Sequence, residues 1–256
     1  MTEKLKTAEP GEKPQRRWYS FRLRTLLIFV TLAGSGFGWP GFKVQESQRQ
    51  QAAVAAIENL GGAVMYDYEF DRHGGHLPNA EPPGPSWLHT LLGDDFFRTA
   101  CQVFLYDIAD ERSPIDTRLE NLKALPHLKR LVLDCAPQTL VTDASLENVK
   151  GLAKLEYLSL MSRNISDAGF DHFKGLVQLK DLSVVGTTVT DAGLESLQGL
   201  AKLENLWLDS PNITDAGLDR FKGLIQLKRL RLSRTKVTDA GVARLHRALP
   251  NCEITR

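Results

Sequence analysis

The stretch from Leu152 to Leu245 says one thing four times. The runs are LAKLEYLSLMSRNISDAGFDHFKG, LVQLKDLSVVGTTVTDAGLESLQG, LAKLENLWLDSPNITDAGLDRFKG and LIQLKRLRLSRTKVTDAGVARLHR, and their first leucines, Leu152, Leu176, Leu200 and Leu224, sit 24 residues apart. A fixed period of that length, with L-x-x-L-x-x-L-x-L spacing, points to identical units stacked in a row and away from a closed globular core. In the third unit Leu206 and Leu208 alternate with Trp207, so a short strand turns its leucines to one face and the tryptophan to the other. Ile213 brings the chain back inward. Thr214 and Asp215 then place a hydroxyl and a carboxylate where a helix can start, meeting its orphan N–H groups and its positive dipole end. Leu218, Phe221 and Leu224 follow at a spacing of three, which suits a short helix packed against the leucines, and Gly223 is expected to end it. One unit cannot bury its own apolar face, so neighbours must stack strand beside strand at about 4.8 Å.

The T-D-A-G-L turn (Thr190 to Leu194, Thr214 to Leu218, and Thr238 to Val242 with valine for leucine) resembles the helix-bearing leucine-rich repeats of ribonuclease-inhibitor-like and F-box-associated proteins. It is closer still to small bacterial proteins that join such repeats to one N-terminal membrane segment. The resemblance implies an α/β fold: a right-handed leucine-rich-repeat solenoid with parallel strands on the concave face and short helices on the convex face. It says almost nothing about function. One departure stands out. Where many leucine-rich repeats carry a buried asparagine, this chain has Arg163, Thr187, Pro211 and Thr235. Thr187 and Thr235 can hydrogen-bond the loop backbone, whereas Pro211 can only stiffen it.

A net charge of +1 offers no footprint for nucleic acid. The charge is uneven, with seven Lys/Arg against three Glu in residues 1–24, a basic, flexible cytoplasmic tail. Thr25 to Trp39 then carries no charge, and residues 25–42 are expected to be a short signal-anchor transmembrane segment. Arg16, Arg17, Arg22 and Arg24 precede it and Lys43 follows. The positive-inside rule therefore places the N-terminus in the cytoplasm and the repeats outside. Cleavage as a signal peptide near Ala33-Gly34-Ser35, with export of the remainder, is one alternative, and a buried soluble helix is another.

Residues 43–100 read as a small cap. A helix over 43–60 has Val44, Val54, Ile57 and Leu60 as its sparse apolar side, and Gly61-Gly62 stops it. The strand-like AVMYDYEF follows, then a loop at 71–86 and an apolar run through Trp87-Leu88 and Leu91-Leu92. Helix and strand together would cover the open N-terminal end of the solenoid. Residues 101–256 form the leucine-rich-repeat domain. Its first strand is expected at Val103 to Asp107, followed by an irregular turn at Ile115-Asp116. Leu119, Leu122 and Leu125 fall into register with Leu194, Leu197 and Leu200. The repeat from Leu128 is three residues longer than its successors, with the excess at Cys135–Leu140. LPNCEITR supplies a terminal strand, for six or seven strands in all.

Catalysis has little support in the sequence. His73-x-x-His76 with Asp71 lies in a Gly/Pro-rich loop and makes a poor metal site. The row Asp143, Asp167, Asp191, Asp215 and Asp239 is better explained as helix starts than as a calcium site. Cys101, Cys135 and Cys252 are too few and scattered for a disulfide framework and suit buried packing. No cofactor, metal, nucleic acid or small-molecule substrate is expected, and the chain reads as no enzyme. Its strand face is the better candidate. Tyr157, Asp181, Asn205, Trp207, Asp209, Arg229 and Arg231 alternate with the leucines there, and an outward tryptophan beside arginines is the composition of a protein-binding hot spot. Alternatively, Trp207 and Arg231 stack only to stabilise the sheet surface. The expected function is non-catalytic recognition of a protein partner by a membrane-held module. The alternatives are a structural envelope scaffold, or substrate recruitment to a ubiquitin ligase as in F-box-associated repeats, although no F-box-like domain precedes the repeats.

Overall fold

The computed structural model describes residues 38–59, 61–70, 75–77, 80–106, 119–134 and 141–256. Among them, eight strands form one sheet in sequence order. They are β1 (Ala63–Tyr66), β2 (Ala100–Tyr106), β3 (Arg130–Asp134), β4 (Tyr157–Met161), β5 (Asp181–Val185), β6 (Asn205–Asp209), β7 (Arg229–Ser233) and β8 (Glu253–Thr255). β1 runs antiparallel to β2, and every later neighbour is parallel. Strict periodicity makes the register uniform. Leu131, Leu158, Leu182, Leu206 and Leu230 pair along one line, and Leu133, Leu160, Val184, Leu208 and Leu232 along a second, all of them buried. Between these lines, Val132, Ser159, Ser183, Trp207 and Arg231 stand on the opposite face.

β5, β6 and β7 are each entered through the same clamp. The carbonyl of Glu156 accepts from the N–H groups of both Lys180 and Asp181, that of Lys180 from Glu204 and Asn205, and that of Glu204 from Lys228 and Arg229. Opposite the sheet the helices are single turns: α3 (Asp143–Leu146), α4 (Asp167–Phe170) and α5 (Asp215–Leu218). The repeat between the last two uses a 3₁₀ turn, Gly193–Leu197. Turns this short have no stability of their own. Burial of Phe170, Phe173, Leu218 and Phe221 against the leucines holds them. Gly223 does not end α5 as expected. That helix tightens at Leu218 into a 3₁₀ turn, Asp219–Phe221, and the Leu224 N–H then closes on the Phe221 carbonyl. The last helix, α6 (Asp239–Ala248), is longer, and with Leu245, Leu249 and Cys252 it covers the end of the core.

The chain divides into two compact units, residues 1–42 and 43–256. Helix α1 (Gly38–Asn59) begins ahead of the expected start at 43. Its buried side is Gln50, Ala53, Val54 and Ile57, the 3.6-residue spacing of a single face. Val44 is exposed and does not belong to that side, and Leu60 lies outside the described residues. Gln50 is satisfied at both ends, donating to the Arg98 carbonyl and accepting from the Ala100 N–H, so it ties α1 to the start of β2. Gly61, at φ +78°, reverses the chain, and a side chain at Gly62 would collide with Ile57 and Leu105. β2 begins three residues earlier than expected, and Leu119, Leu122 and Leu125 are buried as the register requires. Helix α2 (Ser86–Leu92) forms where the apolar run predicts, but Trp87 on it is exposed. The irregular turn at 115–116, the insertion at 135–140 and residues 25–37 of the expected anchor lie outside the described residues. Among the described residues, no helix is long and apolar enough to cross a membrane.

Candidate functional site

On the strand face, β4 to β8 form an open groove of about 270 Å³. Leu182, Leu206 and Leu230 lie at its floor, and Tyr157, Asp181, Ser183, Asn205, Trp207, Arg229 and Arg231 line it. Six of the seven residues singled out from the sequence are therefore together. Trp207 is 38% exposed, a large aromatic kept outward by the alternation that buries Leu206 and Leu208. Arg231, its register partner on β7, stacks its guanidinium 4.6 Å from the indole centroid. Two residues back on these strands, Arg229 donates Nε–H to Asn205 Oδ1 at 2.7 Å, and Asn205 in turn donates its amide to Asp181. At the far side Arg130 lies 3.5 Å over the Tyr157 ring. Such a groove is smaller and more open than pockets that enclose a whole small molecule.

Asp209 is the exception. It sits at the end of β6, buried, and both carboxylate oxygens accept from Arg234 Nε–H, at 2.7 and 2.9 Å. Arg234 adopts a left-handed backbone (φ +52°) and spans the 25 residues back to Asp209, so this carboxylate braces a loop and does not line the groove. Conversely, Glu253 and Thr255 of β8 line the groove and were missed. The 24-residue period carried the signal, since it places Glu253 one step beyond Arg229.

The joint between repeats resolves the aspartate row. Asp143, Asp167, Asp191 and Asp215 each stand at the start of their own turn and also reach into the next repeat. Asp143 accepts from the N–H and hydroxyl of Ser166, and Asp167, Asp191 and Asp215 do the same for Thr190, Thr214 and Thr238, at 2.6–2.8 Å. The hydroxyls of Ser166, Thr190 and Thr214 accept in turn from an alanine N–H of their own turn, and that of Thr238 from the Gly241 N–H. A Cβ at Gly169, Gly193, Gly217 or Gly241 would strike the carboxylate of the preceding repeat. The motif is thus a joint: a hydroxyl that bonds both ways, a carboxylate that reaches forward, and a glycine that makes room for it. These bonds to Thr238, backbone first, hold the Asp215 carboxyl below its ordinary range. In the last repeat Arg256 meets Asp239 and also donates to the Val237 carbonyl at 2.7 Å.

This is a leucine-rich-repeat solenoid.

Its parallel register and its 24-residue joint define the fold. The structure is similar to that of an internalin, inlF, from Listeria monocytogenes str. 4b F2365, with 22% identity and a TM-score of 0.46 over 59% of this chain and 39% of that one. It is also similar to an internalin C2, inlC2, from the same strain, with 27% identity and a TM-score of 0.43 over 54% of each chain. The chain spans about half the length of these relatives or less. No protein-family model matches the sequence, and no curated protein matches it.

The leucine-rich-repeat loops are held without an asparagine ladder, by hydroxyls and backbone N–H groups that reach neighbouring repeats. In the first and third regular repeats, buried Ser162 and Ser210 donate to the Val141 and Val189 carbonyls. In the second, the Thr187 N–H reaches the Asp209 carbonyl and the Thr188 hydroxyl reaches that of Ile165. The residue beside exposed Pro211, not Pro211 itself, therefore secures that loop. Elsewhere, His76 packs edge-on against Phe70, and His73 lies outside the described residues. Among the described residues, no three His, Cys, Asp or Glu side chains come together to hold a metal. Cys101 and Cys252 are buried free thiols, and burial pushes that of Cys101 up to about 11, which leaves it a poor nucleophile.

Proposed function

We propose that the groove around Trp207 is the recognition face of a non-catalytic protein-binding module, held at a membrane through residues 25–42. The observation that carries the reading is the exposed indole of Trp207, packed against Arg231 and flanked by the oriented Arg229. Aromatic and arginine side chains that are already fixed lose little conformational freedom on binding, and they dominate interface energetics. The uncharged run from Thr25 to Trp39, behind four arginines, supports an anchor with the basic tail in the cytoplasm and the repeats outside.

A second reading has its own support. Ile225 is 78% exposed and Val177 48% exposed at equivalent repeat positions, with Ala201 between them, an apolar row suited to self-association in a scaffold. Affinity capture from solubilised envelopes separates the two, with full-length chain as bait beside the same chain carrying Trp207→Asp and Arg231→Glu. Circular dichroism must first match. Recognition predicts a partner retained by the parent and lost by the variant. Equal capture by both would move the binding surface elsewhere, and capture of further copies of this chain alone would favour the scaffold.

A further inference from the structure

We propose that the groove takes an extended peptide segment with an acid-x-acid pattern, its two carboxylates bound by Arg229 and Arg231 along β7. This rests on the recognition reading above and names the chemistry of the partner. The two arginines stand at alternate positions of one strand, so they share a face and are spaced by about 6.6–7 Å. Side chains at alternate positions of an extended ligand have the same spacing.

Each guanidinium is oriented from behind and open in front. Arg231 lies on the Trp207 ring and has no hydrogen-bond or ion-pair partner among the described residues. Arg229 spends Nε–H on Asn205, which leaves its two terminal nitrogens without a partner among the described residues. A planar fork fixed in this way is suited to a carboxylate, which it grips with two parallel bonds. Arg234 is not equivalent, because Asp209 already occupies it.

The surrounding charges narrow the footprint. Along the line that crosses the strands, Arg229 is bracketed by Asp181, two strands away, and by Glu253 on β8. An acidic ligand laid across the sheet would meet these carboxylates, whereas one laid along β7 meets Arg229 and then Arg231. Like charges brought together at an interface exclude wrong partners, so the bracket sets direction as well as sign.

The test uses fluorescein-labelled seven-residue peptides identical except at the third and fifth positions, which are both Glu, both Gln or both Lys. Fluorescence anisotropy against the full-length chain is expected to show the Glu peptide bound at least ~10-fold more tightly than the Gln peptide, with no binding of the Lys peptide. Arg229→Gln and Arg231→Gln should each lower the Glu/Gln preference, and together abolish it. The preference should also shrink at high salt. Equal binding of the Glu and Gln peptides, no binding of any peptide, or a preference that survives the double substitution overturns the proposal. If it falls while Trp207→Asp still releases a captured protein, recognition stands and the acidic specificity does not. If capture is also unaffected, both fall.

Discussion

Leu206→Ala is expected to lower the unfolding free energy by ~2–5 kcal/mol, the cost of a cavity left by a fully buried leucine. Leu206 is central in its line, paired with Leu182 on one side and Leu230 on the other. In a solenoid each repeat contacts only its neighbours, so no distant part of the core can move in to refill the hole. The cavity also faces both neighbouring repeats. Trp207→Ala on the same strand is the control, because its side chain faces outward and its stack on Arg231 is worth about 0.5–1 kcal/mol. Urea denaturation followed by circular dichroism should therefore place Leu206→Ala well below the parent and Trp207→Ala near it. Coincident midpoints for Leu206→Ala and the parent would contradict the burial argument.

The second large effect belongs to the joint. Asp191→Ala strands the Thr214 N–H and hydroxyl, which donate to Asp191 at 2.8 and 2.6 Å, and is expected to cost ~1–3 kcal/mol. Gly217→Ala should also destabilise, because the new methyl meets the Asp191 carboxylate, which the two bonds to Thr214 prevent from moving aside. Leu194 is the other close neighbour, and the end of its side chain can shift. The two substitutions should be non-additive. Once Asp191 is alanine, the main obstacle to a methyl at Gly217 is gone, and the second substitution should cost clearly less than it does alone. Additive losses across the double-mutant cycle would show that the glycine is not there to admit the carboxylate.

The fold was legible because its information is periodic. Leucines 24 residues apart set the strand line, the buried line and the register together, and Trp207 could be turned outward from Leu206 and Leu208 alone. The groove followed for the same reason, since residues at equivalent positions of successive repeats become register partners. What escaped was contact that depends on side-chain reach. Asp209 alternates with the leucines like its neighbours, but Arg234 folds back over it, a tertiary event with no local pattern. Five helix starts account for Asp215 at the first position of α5 but not for its bonds to Thr238. Bonds that cross one period join residues 23 apart, so a repeat considered alone hides them. Val44 went astray on a different ground: it is one apolar residue in a polar stretch of helix, and the buried side runs through Gln50 and Ala53 instead. Gly223 was misjudged because a tightened turn had already ended the helix.

The most direct test of the recognition face is site-specific photo-crosslinking in cells. A benzophenone amino acid is placed at Thr255, at the rim of the groove, or at Gln198, exposed on the helical side of the sheet. An adduct with a second protein is expected from Thr255, lost when Arg231→Glu is added, and none is expected from Gln198. An adduct from Gln198 alone, or one from Thr255 that is indifferent to Arg231→Glu, would contradict the recognition reading.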